Sequence, residues 1–213
     1  MKQLALTTAF ICLSATPILA DAAVGSITEQ QNTPPSITRN KDTLTGAKGT
    51  GVEMNDAVRT AAGKVGITFE DNTKVQVSEN SKLVIDDFVY DPKNKGAGKL
   101  AMKVALGTVR YASGAIAHND PAGVAINTPS ATIGVRGTDF TATVDEVGAS
   151  TIILLPSCPS DKRERNVNDI EKNCVVGEIT VTSDAGTVIL NKPFQATRVE
   201  NRGMAPMKPV ILR

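Results

Sequence analysis

Two cysteines in the second half of the chain are the residues best suited to covalent chemistry. Cys158 and Cys174 enclose a mostly polar segment whose charges balance. An even pair of cysteines in an exported protein indicates a disulfide, and closing a loop of this size adds ~3 kcal/mol of stability in the chain-entropy model. A zinc site needs three or four ligands, and the chain has one histidine, His118. We therefore predict a Cys158–Cys174 disulfide.

Other candidates for catalysis or metal binding are sparse. His118 stands without a nearby nucleophile, and no serine lies in a Gly-x-Ser-x-Gly turn. Asp86, Asp87 and Asp91 offer the oxygen ligands that calcium prefers, but they lack the glycine-containing acidic loop of known calcium sites, and a solvated strand end explains them equally well. We predict no enzyme activity, no catalytic residue and no cofactor. A hydrolase whose carboxylates meet only in space stays an alternative.

The N-terminus has the order of features found in secretory signals. Lys2 precedes an apolar run, and small residues follow Pro17. This run is too short to cross a bilayer, which needs ~20 apolar residues. Cys12 does not indicate a lipoprotein, because bulky Phe10 and Ile11 precede it. We expect cleavage after Ala20 or, alternatively, after Ala22, and a periplasmic or secreted protein of a Gram-negative bacterium.

The charge balance argues against two classes of partner. Lys2 is the only charged residue before Asp21, so its removal takes 23 basic residues to 22, against 22 acidic ones. The chain has no tryptophan to stack on a base and no basic cluster. We therefore predict neither nucleic-acid binding nor membrane insertion of the mature chain.

Period-two alternation of apolar residues dominates the mature chain. It is clearest at Leu100, Met102, Val104 and Leu106, and similar short runs recur about every ten residues with turn residues between them. The pattern predicts an all-β single domain of short strands, β-solenoid-like or β-sandwich-like, with one disulfide-closed loop.

Four segments, in order, resemble the FecR family. They are residues 51–73, which end in the hairpin motif Asp-Asn-Thr, residues 82–92, residues 106–114 with Leu-x-x-Val-Arg around a glycine, and residues 128–140. The last segment, Thr-Pro-Ser-Ala-Thr-Ile-Gly-Val-Arg-Gly-Thr-Asp-Phe, carries the most specific motif and is called the signature block below. The resemblance runs from about Val24 to Glu200.

On this basis we divide the chain into four parts. Residues 1–20 form the signal peptide, 21–50 a lead-in strand and loop, 51–200 a FecR-like β domain and 201–213 a proline-containing tail. The best-known FecR proteins have a cytoplasmic segment that controls a sigma factor and then a membrane helix. We expect a cleavable signal in their place, so the resemblance implies no anti-sigma role here.

Within the signature block, a set of five residues could form either a folding motif or a binding site. We expect a folding motif, with Phe140 in the core, while Arg136 and Asp139 either pair with each other or face a partner. The five residues are Arg136, Gly137, Thr138, Asp139 and Phe140.

The resemblance implies a binding module that contacts another envelope protein, of unknown identity, in signalling or regulation. A structural or accessory part of a secretion or surface assembly, held in place by the proline-containing segment at residues 204–210, is the alternative.

Overall fold

The computed structural model describes residues 22–94, 96–158 and 173–212. The predicted signal peptide, residues 1–20, lies outside the described residues. Within them the chain forms seventeen strands, one short helix and one 3-10 turn, so the predicted all-β class is confirmed. The strands are β1 Gly25–Asn32, β2 Ser36–Arg39, β3 Asp42–Thr45, β4 Gly51–Val52, β5 Ala57–Arg59, β6 Gly63–Phe69, β7 Lys74–Val77, β8 Lys82–Val89, β9 Lys99–Ala112, β10 Val124–Asn127, β11 Thr132–Arg136, β12 Asp139–Val144, β13 Ser150–Leu155, β14 Glu178–Ser183, β15 Gly186–Leu190, β16 Gln195–Val199 and β17 Val210–Ile211. The helix α1 spans Ala115–Asn119, and the 3-10 turn spans Pro121–Gly123.

The strands form two sheets that share the long strand β9. Sheet A has the order β4-β1-β6-β7-β9-β12-β13-β16-β17. Sheet B has the order β3-β2-β5-β8-β9-β10-β11-β14-β15. Among the described strands, β9 and β10 pair in parallel and the other pairs are antiparallel. A solenoid stacks parallel strands, so this architecture is the sandwich-like form of the two predicted.

Strand β9 passes from sheet B to sheet A at Gly107. Leu106 pairs with Lys82 of sheet B, whereas Gly107 pairs with Val144 of sheet A. Gly107 has φ +79°, and a Cβ there would lie 2.6 Å from the Cα of Ser81. A side chain would therefore meet both backbone strain and a clash, which explains the glycine in this motif.

One hydrophobic core lies between the sheets. Val65, Ile67 and Phe69 of β6 are buried, as are Leu100 and Met102 of β9, in agreement with the alternation. Phe69 of sheet A also stacks on Phe88 of sheet B, with 5.6 Å between ring centroids. The shared core makes the two sheets a single domain.

Strands β13 and β14 are linked by the Cys158–Cys174 disulfide, which closes the predicted loop. Beside it, Ser157 and Val175 form a β-bridge. Over the part of the chain that the structure describes, no helix is long and apolar enough to span a membrane.

Candidate functional site

The first half of the signature block ties the two sheets together through buried hydroxyl groups. Ser130 Oγ donates to Ser150 Oγ at 2.6 Å, and Ser150 Oγ donates to Thr128 Oγ1 at 2.9 Å. Thr128 Oγ1 also accepts from the backbone N–H of Ala131 at 3.0 Å. All three hydroxyl-bearing residues are fully or almost fully buried. Because buried polar groups are costly unless paired, this network holds the β10–β11 turn of sheet B against β13 of sheet A.

Gly137 and Thr138 fasten the second half of the block to the segment before α1. Gly137 has φ +54°, and a Cβ there would lie 3.1 Å from Nδ1 of the exposed His118. The backbone N–H of Thr138 donates to Ser113 Oγ at 2.9 Å, and Ser113 Oγ donates to the Thr138 carbonyl oxygen at 2.8 Å. Both backbone groups of Thr138 thus hold the turn between β11 and β12 to Ser113.

The remaining predicted residues point in different directions. Phe140 is buried and stacks on Tyr111, whereas Asp139 lies on the outer face and pairs with Arg110 at 3.3 Å. The Arg136 side chain is exposed and makes no hydrogen bond or ion pair with any described residue, although Glu178 is opposite it on β14. Asp139 therefore pairs with Arg110 rather than with Arg136, and only Arg136 has an uncommitted charged group.

A cavity of about 370 Å³ lies beside this turn and is lined by Ser113, His118, Asp139 and Cys158, among others. Two of the lining residues that could act as nucleophiles are already engaged. The Ser113 hydroxyl donates a hydrogen bond to the Thr138 carbonyl oxygen, and the Cys158 sulfur is in the disulfide. Nucleophilic catalysis needs a hydroxyl or thiol that can transfer its proton to a base. Ser113 and Cys158 are therefore held in structural contacts.

The three carboxylates considered for calcium have separate surroundings. Asp87 pairs with Lys99 at 2.7 Å, and Asp91 accepts a backbone N–H from its own turn at 2.8 Å. Asp86 lies at a β-bulge, where burial raises the pKa of its carboxyl, an effect that Lys103 partly offsets. No group of three or more His, Cys, Asp or Glu side chains in the described residues is placed to hold a metal ion.

The largest run of exposed apolar side chains lies near the C-terminus, in β17 and the segment around it. Five residues there, each about half exposed, make up half of the ten exposed large hydrophobic residues in the described part of the chain. We call them the C-terminal edge: Met204, Met207, Val210, Ile211 and Leu212. Exposed apolar clusters of this kind mark contact surfaces.

The backbone of this edge is held firmly against β16. Thr197 Oγ1 donates to the Met207 carbonyl at 2.7 Å, and the Leu212 N–H donates to the carbonyl of residue 194 at 3.0 Å. The Met207, Val210 and Leu212 side chains line a shallow groove of about 200 Å³. The apolar side chains of Val210 in β17, and of Met207 and Leu212 beside it, are thus displayed on backbone that is hydrogen-bonded to its neighbours.

Residues 56–155 match the family model described as FecR protein. These residues are a FecR domain. The match confirms the resemblance predicted from the four motifs. It begins at Asp56, includes the whole signature block and ends at Leu155, before the disulfide and the C-terminal edge.

One solved structure to which the chain is similar is that of a candidate anti-sigma factor from Parabacteroides distasonis. Its TM-score is 0.47 at 12% sequence identity, and the similar part covers 71% of this chain. The chain spans 57% of that protein's length. No curated protein sequence matches this chain.

The FecR domain is joined to the preceding strands by an ion pair between a partly exposed arginine and a buried aspartate. Asp56 is completely buried and accepts two hydrogen bonds from Arg39 on β2, at 2.9 and 2.7 Å. The pKa of Arg39 is raised, mainly by its hydrogen bond to Asp56. Residues before the FecR domain therefore belong to the same folded unit.

The hairpin motif of the FecR domain also has a structural task. Asp71 is buried and accepts from the Thr73 hydroxyl at 2.8 Å and from the Ile116 N–H at 3.1 Å. Asn72 between them has φ +66°, a conformation that asparagine tolerates better than most residues. The motif thus connects the β6–β7 hairpin to the start of α1.

Sequence reasoning identified residues 204–210 as a tail that could hold the protein in an assembly, but it did not predict an ordered apolar edge there. Pro206 and Pro209 interrupt the alternation, so residues 201–213 read as a tail. The available signal was composition, since residues 204–212 hold five large apolar residues and no acidic one.

Proposed function

We propose that the protein is a non-enzymatic periplasmic binding module that acts through protein–protein contacts in envelope signalling or regulation. The FecR domain supports the regulatory role. The observation that carries the proposal is the C-terminal edge, because an ordered, half-exposed apolar strand edge is costly to leave in water and suits a partner.

The signature block serves the fold rather than a ligand in this proposal. Its hydroxyl groups, its tight turn and Phe140 are all committed to contacts within the chain. Arg136 is the exception, since its guanidinium group is exposed and unpaired among the described residues. It is therefore a second candidate contact, separate from the C-terminal edge.

Two features support a location outside the cytoplasm. The N-terminal residues have the pattern of a secretory signal, and disulfides such as Cys158–Cys174 form and persist in oxidising compartments. A location outside the cytoplasm suggests that the partner is also in the periplasm.

Site-specific photo-crosslinking in the native envelope tests the proposal. A benzoylphenylalanine replaces Met207, Arg136 or, as the control, Val147, which is 85% exposed in the β12–β13 turn. We expect a discrete adduct with one envelope protein from position 207 and none from position 147. Equal adduct patterns at the two positions would contradict the proposal. An adduct with a secretion or surface-assembly component would support the accessory role instead.

A further inference from the structure

We infer that the C-terminal edge binds an extended segment of its partner as an added strand of sheet A, paired with β17. This segment has apolar side chains at alternate positions and a carboxylate placed for Lys208. The inference rests on the proposed function and gives the binding mode at the same site.

The backbone of β17 offers hydrogen bonds on its outer side. Val210 and Ile211 are opposite Ala196 and Gln195, and the Leu212 N–H bonds to the carbonyl of residue 194. Along an antiparallel pair, alternate residues direct both backbone groups to the partner strand. The N–H and C=O of Ile211 therefore point away from β16. Among the described strands, β17 pairs with β16 alone.

The side chains beside this backbone form an apolar track. Val210 and Leu212 are two residues apart and line the same groove, which Met207 extends. Side chains of an added strand stand at the same spacing, so apolar residues at alternate positions would cover these three. A helix would cover the track but leave the Ile211 backbone groups unpaired.

Charge decides between a different protein and a second copy. Lys208 lines the groove and makes no ion pair with any described residue. Arg198, the other cation of the groove, is already paired with Asp145 and Glu200. Residues 204–212 contain no Asp or Glu, so the edge of a second copy would bring no partner for Lys208. An acidic segment of another protein would bring a carboxylate to Lys208.

Pro209 limits the length of the added pairing. It is two residues before Ile211 and lacks an N–H, so the outer edge can accept there but cannot donate. Proline on an edge strand also protects against unrestricted pairing. The edge therefore suits a short segment rather than a growing sheet.

Replacing one backbone donor tests the inference. Ile211→Pro removes the outward N–H and keeps the bonds of Val210 and Leu212 to β16, while Ile211→Val is the matched control that keeps the donor. The probe is a display library of short random peptides, selected on the wild-type chain and counter-selected on Ile211→Pro. Thermal melts verify that both variants are folded, and sedimentation measures self-association.

We expect enriched peptides with alternating apolar residues and at least one Asp or Glu. Their affinity should fall about tenfold or more for Ile211→Pro and several-fold for Lys208→Glu, and should be unchanged for Ile211→Val. Should Ile211→Pro unfold, N-methylation of alternate residues in the selected peptide gives the same test from the other strand.

Four results would each overturn the inference. The enriched peptides could bind Ile211→Pro as well as they bind wild type, or their apolar residues could have a helical period. The selection could enrich no peptide, or sedimentation could find a dimer that Ile211→Pro breaks. A position-207 adduct that persists in Ile211→Pro would refute strand addition while leaving the proposed function intact. Absence of that adduct in wild type would instead refute the proposed function.

Discussion

The rings of Tyr111 and Phe140 stack with their centroids 5.2 Å apart, directly across the β9–β12 pair. Both side chains are 1% exposed. Tyr111 belongs to the strand that joins the two sheets, and Phe140 ends the signature block. The contact therefore couples the most specific motif of the FecR domain to the central strand of the fold.

Truncation of Phe140 should be severely destabilising. We expect Phe140→Ala to lower the free energy of unfolding by ~3–5 kcal/mol, since a fully buried ring leaves a cavity. Phe140→Leu, which keeps most of the apolar volume, should cost clearly less. Urea unfolding measures both values, and equal stability of wild type and Phe140→Ala would show that the ring is not in the core.

Gly137 should tolerate only residues that accept positive φ. Gly137→Val should destabilise by ~1–3 kcal/mol, because a β-branched side chain is strained at φ +54° and would crowd His118. Gly137→Asn should be milder, since asparagine visits this region more readily. Thermal melts compare the two, and a smaller loss for valine than for asparagine would contradict the backbone explanation.

The Arg39–Asp56 pair should matter far more than a surface pair. Asp56→Ala leaves the Arg39 guanidinium without its main partner next to a fully buried site, and we expect a loss of ~3–5 kcal/mol. Asp87→Ala is the control, because its pair with Lys99 is exposed and should contribute ~1 kcal/mol or less. Urea unfolding measures both losses of stability. Similar losses in the two variants would refute the predicted difference between the two ion pairs.

Reduction of the disulfide should weaken the fold without dismantling it. The core strands described here pair outside the loop, so the Cys158→Ser, Cys174→Ser double variant should stay folded with a stability lower by up to ~3 kcal/mol. Circular dichroism and urea unfolding check this. Loss of the β-sheet spectrum in the double variant would show that the disulfide is required for folding.

Local alternation predicted much of the sheet, because a strand with one buried face repeats every two residues. Val65 to Phe69 and Leu100 to Val104 are clear cases. The pairing partners of the strands could not be predicted from the sequence. For example, β1 pairs with β6 and β13 pairs with β16, across long stretches of chain that local periodicity does not describe. Register between distant strands is set by the packed core as a whole.

The candidate site was predicted less well for the same reason. The motif identified residues 136–140, but their partners Ser113, Tyr111 and Arg110 come from other segments and appear only in the fold. The C-terminal edge depends on the pairing of Val210 with Ala196, which two prolines hide from any test of alternation.

The central claim is that the C-terminal edge is the surface on which a partner binds. Its most direct test is the affinity of the mature chain for the protein crosslinked from position 207, measured by calorimetry for wild type, Met207→Asp and Val147→Asp. Both substitutions place a charge on an exposed apolar residue, so they are matched in chemistry and differ in place. We expect binding to Met207→Asp to be at least about tenfold weaker and binding to Val147→Asp to be unchanged. Equal affinity of all three proteins would contradict the claim.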